Sequence, residues 1–177
     1  ILWLILEILA AGTTSADLRM IVNKLMLTRR MNESLAEHLQ SVYQTFCYSC
    51  GQPIQPEGYI WERNSEIPSA KVYTCPHCGD TGEKPIVEAD LENLNRLGSF
   101  DLHRNRAFQR VLQGGEYEQA SIESALDCYL PRALYVVMTL INTMDRMQID
   151  KGEKRLLRAC LLPIFDEANS LWHWPLQ

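Results

Sequence analysis

A mainly α fold interrupted by one short β insert is the architecture the sequence predicts, on three observations. Apolar residues recur at helical spacing on both sides of residues 47–79. Within that interval, 58–63 and 70–74 are rich in aromatic and β-branched residues and flank a turn-forming stretch, 64–69. Two Cys-x-x-Cys-Gly motifs, Cys47/Cys50 before Gly51 and Cys75/Cys78 before Gly79, bracket those strands. The expected fold is therefore a helical bundle with an inserted two-stranded zinc ribbon. It divides as 1–46, N-terminal helices of the helical body; 47–79, the ribbon; and 80–177, C-terminal helices of the same body.

The cysteine spacing carries the chemistry. Two residues between paired thiols let one tight turn aim both sulfurs, with backbone amides, at a single point. A sharp turn follows each second cysteine, where a residue without Cβ fits at least cost. Two such turns supply the four sulfurs of a tetrahedral zinc site, Cys47, Cys50, Cys75 and Cys78, one Zn2+ per chain. The 24 residues between Cys50 and Cys75 suffice for a hairpin. A redox Cys-x-x-Cys opens a helix after a strand and comes once; here it comes twice, and neither copy opens a helical pattern. Four sulfurs close the metal's shell, so the metal is expected to hold the fold rather than to react. His77, inside the second knuckle, is expected to face solvent.

The chain as a whole sets bounds. Its 177 residues allow one ordinary domain with a small module, and the 46% hydrophobic content allows a real core. A net charge of −5 argues against gripping nucleic acid by overall field, so any DNA contact has to be a local patch. Six cysteines without a secretory signal suggest a reducing compartment, the cytoplasm, with Cys128 and Cys160 as buried free thiols.

Taken in order, the elements begin with the apolar run 1–10. It carries Glu7, lacks a basic leader and is too short to span a bilayer, so no membrane contact is expected. Without an initiator methionine it reads as a core helix cut from a longer chain, and its exposed face is a candidate homo-oligomer contact. Thr14-x-x-Asp17 reads as a capping box. Leu18, Ile21, Val22 and Leu25, then Met31, Leu35, Leu39, Val42 and Phe46, make one long helix or two joined near 28–30. Tyr59 and Trp61 offer a base-stacking platform or, the commoner use, cover the ribbon's thin core and dock it on a neighbour. Residues 80–85 read as an exit linker. Leu91, Leu94 and Leu97 mark a short helix stopped by Gly98, and Ser99 or Asp101 caps the next, with Leu102, Phe108, Val111 and Leu112. The other face of that helix carries Arg104, Arg106 and Arg110, either a solvated face or a strip for nucleic-acid phosphates. Residues 116–129 look helical, and Pro131 opens a helix whose stripe is Ala133, Val137, Leu140, Met144 and Met147. The last helix, 151–172, buries Leu157, Leu161, Ile164, Ala168 and Leu171, and Pro163 is expected to kink it.

Enzymatic motifs are missing. There is no phosphate-binding glycine loop and no Gly-x-Ser-x-Gly, and His38, His103 and His173 are not spaced as a catalytic or metal group. Asp166 and Glu167 are adjacent, so on a helix they diverge by about 100°. By itself the chain reads as a binding or scaffolding module.

Certain stretches nonetheless resemble a known family. Residues 27–36, the Cys47 knuckle, Tyr59-Ile60-Trp61-Glu62-Arg63 and Tyr73-Thr74-Cys75-Pro76-His77-Cys78-Gly79 are similar to a region of large bacterial DNA methyltransferase-like proteins of the N4/N6 amino-methylating class. Tyr129-Leu130-Pro131-Arg132-Ala133-Leu134 resembles that family's Thr-Pro-Arg-x-Leu segment, with leucine where threonine is commoner, and 168–175 resembles its closing stretch. The family binds S-adenosylmethionine through a glycine-containing loop and methylates with an (Asp/Asn/Ser)-Pro-Pro-(Tyr/Phe) motif. Neither occurs here, so no catalytic or cofactor-binding residue carries over. The resemblance implies a zinc-stapled accessory region whose partners are the remainder of the parent protein and possible DNA. The other reading is a structural or protein–protein interaction module with no nucleic-acid contact.

Overall fold

A computed structural model describes residues 12, 14–30, 32–62, 65, 67–95 and 100–168. The apolar run 1–10, the stop and cap at Gly98 and Ser99, and the end of the last helix at Leu171 and Trp172 lie outside the described residues. Among those described, the chain is mainly α, with seven helices and three small antiparallel sheets.

Helix α1 (Ser15–Met26) starts at the expected capping box: Thr14 Oγ1 accepts from Asp17 N–H at 3.2 Å, and Asp17 accepts in return from Thr14 N–H at 2.9 Å. The chain then breaks into a hairpin, β1 (Arg29–Arg30) against β2 (Glu33–Ser34), and restarts as α2 (Leu35–Tyr43). A second capping box starts α2: Glu37 N–H donates to Ser34 Oγ at 3.2 Å, and Ser34 N–H to Glu37 at 2.7 Å. Of the two arrangements the periodicity allowed, two helices is the one observed.

After the β insert come α3 (Glu88–Asn95), α4 (Phe100–Gly114), α5 (Gln119–Leu126), α6 (Pro131–Arg146) and α7 (Lys151–Ala168). The principal core joins Ile21 and Leu25 of α1, Leu35 of α2, Leu140 and Met144 of α6, and Leu157 and Leu161 of α7. Helices from before and after the insert thus share one core, and the β segment interrupts a helical body in sequence only. A second cluster joins Ala107 of α4, Ile122 and Leu126 of α5, and Leu134 and Met138 of α6. Helix α6 serves both, which is why its burial runs far beyond the predicted stripe to Arg132, Leu134, Tyr135, Met138 and Thr139. On α4 the stripe differs from expectation: Ala107 is buried, whereas Leu102 and Val111 are exposed. Helix α7 continues through Pro163.

The β insert departs from the expected two-stranded ribbon. Strand β5 (Gly58–Trp61) pairs with β6 (Pro68–Thr74), and β6 pairs on its other edge with β7 (Thr81–Pro85), the stretch expected to be a linker. The physical reason lies in β6. Its Pro68, Ala70, Lys71 and Tyr73 are buried, and the second knuckle reverses the chain so that Thr74 meets Thr81 and Ala70 meets Pro85. A Thr-Gly-Glu-Lys-Pro run has little strand propensity of its own, so pairing with β6 supplies the conformation. A further short pair, β3 (Thr45–Phe46) with β4 (Pro53–Ile54), carries the first knuckle.

A buried charge pair ties the insert to the helices. Lys71 Nζ, 0% exposed, donates to Asp90 of α3 at 2.7 Å, to Thr45 Oγ1 at 2.7 Å and to the Phe46 carbonyl at 3.0 Å. Thr45 Oγ1 donates to the other Asp90 oxygen, and Val87 N–H donates to Asp90 at 3.1 Å. Every ammonium proton and both carboxylate oxygens are occupied, which is the condition under which a buried pair is tolerated. Removing one partner strands the other, so Asp90→Ala should cost about 3–5 kcal/mol in denaturant unfolding. The double variant Lys71→Met/Asp90→Leu should recover most of that loss. Equal loss in single and double variants would show that the pair itself is not the source.

Candidate metal centre

Each knuckle is built the same way. In the first, Gly51 N–H donates to the Cys47 carbonyl at 3.0 Å, and Cys47 N–H to the Gln52 carbonyl at 2.9 Å. In the second, Gly79 N–H donates to the Cys75 carbonyl at 3.0 Å, and Cys75 N–H to the Asp80 carbonyl at 2.7 Å. Gly51 and Gly79 have φ of 69° and 75°, the left-handed region that the sequence motif anticipated. Two equivalent turns at the ends of β3 and β6 therefore face one another.

Between them, the sulfurs of Cys47, Cys50, Cys75 and Cys78 lie within 4.8 Å of one another. Cys47 and Cys78 sulfurs are 3.6 Å apart, and those of Cys50 and Cys75 are 3.7 Å apart. A tetrahedral metal with bonds of about 2.3 Å to sulfur requires sulfur–sulfur edges of about 3.8 Å. Two of the six edges match that shell, and the cluster could hold a metal ion. Cys47 and Cys75 are buried and Cys50 and Cys78 exposed, so the site sits at the surface with its back to the β core. His77 is exposed and lies outside the cluster, as expected.

Electrostatics distinguishes the four thiols. Burial pushes the Cys47 thiol up, but the backbone N–H groups of Cys50 and Ser49 aimed at its sulfur outweigh that and bring it down to about 6. At Cys78 the Asp80 amide pulls downward, and burial with the crowding of the other three thiols overrides it, to about 12. The Gln52 amide likewise pulls Cys50 down and loses to burial and Cys47, leaving its thiol raised. The Cys47 thiolate forms readily, and Cys50 and Cys78 resist. Four thiolates at this spacing need a cation among them.

Behind the sulfurs lies a support that cysteine spacing alone does not reveal. The Tyr73 hydroxyl, on a side chain 0% exposed, accepts from Tyr48 N–H at 2.8 Å and donates to Asp80 at 2.8 Å. Lys84 donates to the other Asp80 oxygen at 2.8 Å. The Lys84 ammonium first, then the hydroxyls of Ser49 and Tyr73, hold the Asp80 carboxyl down at about 2. Tyr73 thereby pins the Cys47 turn to the loop after Cys78, joining the two knuckles through a second route. Cys47, Ile54, Tyr73 and Cys75 form the small core beneath the site.

The remaining predicted residues fall elsewhere. Arg104 pairs with Asp127 beyond α5 and donates to the Glu123 carbonyl at 3.2 Å, and Arg110 pairs with Asp145 of α6. Arg106 is exposed. The basic patch is thus partly engaged in tying α4 to its neighbours. His38 donates from Nδ1 to Glu33 at 2.8 Å, which leaves Nε2 to accept from the Tyr135 hydroxyl at 2.7 Å. His103 meets the same Tyr135 ring edge-on at 4.7 Å. Cys128 and Cys160, expected to be buried, are half-buried, and the Cys128 thiol donates to the Ser124 carbonyl at 3.6 Å. Asp166 and Glu167 side chains, like His173, are outside the described residues.

Comparison with protein-family models, with characterised proteins and with solved structures finds no match to this chain. The case for the site rests on its own geometry. Tyr73→Phe keeps all four sulfurs but removes the hydroxyl that bridges the knuckles. It should leave metal stoichiometry unchanged and weaken affinity by about tenfold or more in chelator competition. Unchanged affinity would mean that the knuckles are positioned without it.

Proposed function

We propose that the chain is a zinc-stapled accessory domain, in which one Zn2+ held by Cys47, Cys50, Cys75 and Cys78 locks a ribbon onto a helical body. The observation that carries this is the cluster of four sulfurs within 4.8 Å of one another; a tetrahedral ion bound by all four would have no coordination position left for substrate or water. Thiolates suit zinc among the divalent ions available to such a site. Under the ribbon, the four-residue core is too small to fold alone, so metal binding supplies much of its stability. The described residues offer no metal-ligating cluster besides this one. No helix among them is long and apolar enough to cross a membrane.

The parent we propose, on the resemblance of residues 27–175, is a DNA methyltransferase-like protein whose chemistry resides in other parts. The module's task is then to position those parts, with Arg106 and the partly engaged Arg104 and Arg110 as its contribution to DNA engagement. The protein–protein reading draws on a different surface. Met20 and Leu27 on the outer side of α1 and its cap are 61% and 71% exposed, an apolar patch suited to a neighbouring domain.

Elemental analysis of the purified protein should give about one zinc per chain, and Cys75→Ser should release it. Full stability in metal-free protein would end the structural role. A fluorescent duplex should bind weakly and lose affinity steeply with salt, and Arg106→Ala should reduce the salt slope by about one. Absence of salt-sensitive binding at high micromolar protein would remove DNA contact and leave the interaction reading.

A further inference from the structure

Where the ribbon meets the helices, one charged side chain is buried with two of its three nitrogens lacking hydrogen-bond partners. Arg132, in the first turn of α6, is 3% exposed, and neither its Nε nor its Nη1 has a hydrogen-bond partner. Two tyrosines flank it. The guanidinium carbon lies 4.6 Å from the Tyr59 ring centre on β5 and 5.3 Å from the Tyr43 ring centre at the end of α2. Ring faces satisfy the π-surface of a guanidinium but leave the in-plane donors at Nε and Nη1 unused.

The rings themselves are fixed. Tyr59 donates its hydroxyl to the Tyr43 carbonyl at 3.1 Å, so the cage spans ribbon and helix. Asp90 is committed to Lys71 and Thr45, and Glu33 to His38. Among the described residues no acid forms an ion pair with Arg132. A buried cation with open donors and its faces already covered is complementary to a small anion that accepts in the guanidinium plane. Phosphate and carboxylate groups share that chemistry. The low exposure excludes a duplex backbone and admits only a small group or the narrow end of a larger molecule.

We propose that Arg132, caged by Tyr43 and Tyr59, is the anchor of a small-oxyanion site at the seam between ribbon and helical body. The site is separate from the four cysteines and does not depend on the parent being a methyltransferase. Its consequence is coupling: an anion bound there stabilises the docking of β5 on α2 and α6, since all three elements line the cage.

Thermal unfolding of the full, metal-loaded chain tests this, with sodium phosphate as probe, sodium acetate as the carboxylate arm, and sodium chloride at matched ionic strength as reference. Phosphate should raise Tm saturably, by about 5–10 °C at a hundred times its Kd. A rise with acetate instead would support the site and assign its source as a carboxylate. Arg132→Met should abolish the rise while leaving Tm in chloride unchanged or higher, since an unpaired buried charge has gone. No rise over chloride with either anion, or an equal rise in Arg132→Met, would overturn the site. Should the variant fail to fold, the Arg132 Nε–H resonance of the wild-type chain decides. Movement on phosphate titration supports the site, and a fixed resonance refutes it.

Discussion

Four cysteine sulfurs held within 4.8 Å of one another impose the constraint on which the β insert depends. Such a cluster is electrostatically unstable when ionised unless a cation sits among the sulfurs, and the amides of Cys50 and Ser49 already favour the first thiolate. What makes the cluster possible is strand β6. Its alternate residues Lys71, Tyr73 and Cys75 are all buried, as the two-residue period of a strand requires of one face. Lys71 fastens the strand to α3 and β3, Tyr73 fastens the first knuckle to Asp80, and Cys75 supplies a ligand. In the segment that begins with β3, Thr45 and Cys47 repeat the spacing, one in the ion-pair network and one at the metal site. Two chain segments, the one through β3 and the one through β6, each connect the charge network to the metal site, although they belong to separate sheets.

This arrangement explains how a small insert becomes part of a larger body. The ribbon has a small core of four residues and is held to the helices by polar contacts. These include Lys71 with Asp90, Tyr59 with the Tyr43 carbonyl, Gln55 with the Gln40 carbonyl, and Arg132 against both tyrosine rings. The helices close over the insertion because α1 and α2 share their core with α6 and α7. Polar ties specify one docked geometry, and the apolar core beneath provides most of the stability.

Local features were legible in the sequence. The knuckles announce themselves by spacing and glycine, the α1 cap by Thr14 and Asp17, and the opening of α6 by Pro131. The features that were not legible join residues far apart. Lys71 and Asp90 are 19 residues apart and Thr45 and Asp90 are 45 apart, so no window of sequence shows them as partners. Strand β7 looks like a linker in sequence because its conformation comes from pairing with β6 rather than from its own residues. The basic face of α4 was visible as charge, but the acids that engage Arg104 and Arg110 lie beyond α5 and on α6. Arg132 stood inside a recognised segment, yet its burial follows only from the seam it occupies.

The claim at the centre of this account is that the two knuckles close one zinc shell with sulfur alone. X-ray absorption at the zinc edge tests it most directly. The account predicts four sulfur scatterers at about 2.3 Å and no nitrogen or oxygen neighbour. A mixed shell, with His77 or water replacing a thiolate, would contradict it, as would a protein that takes up no zinc.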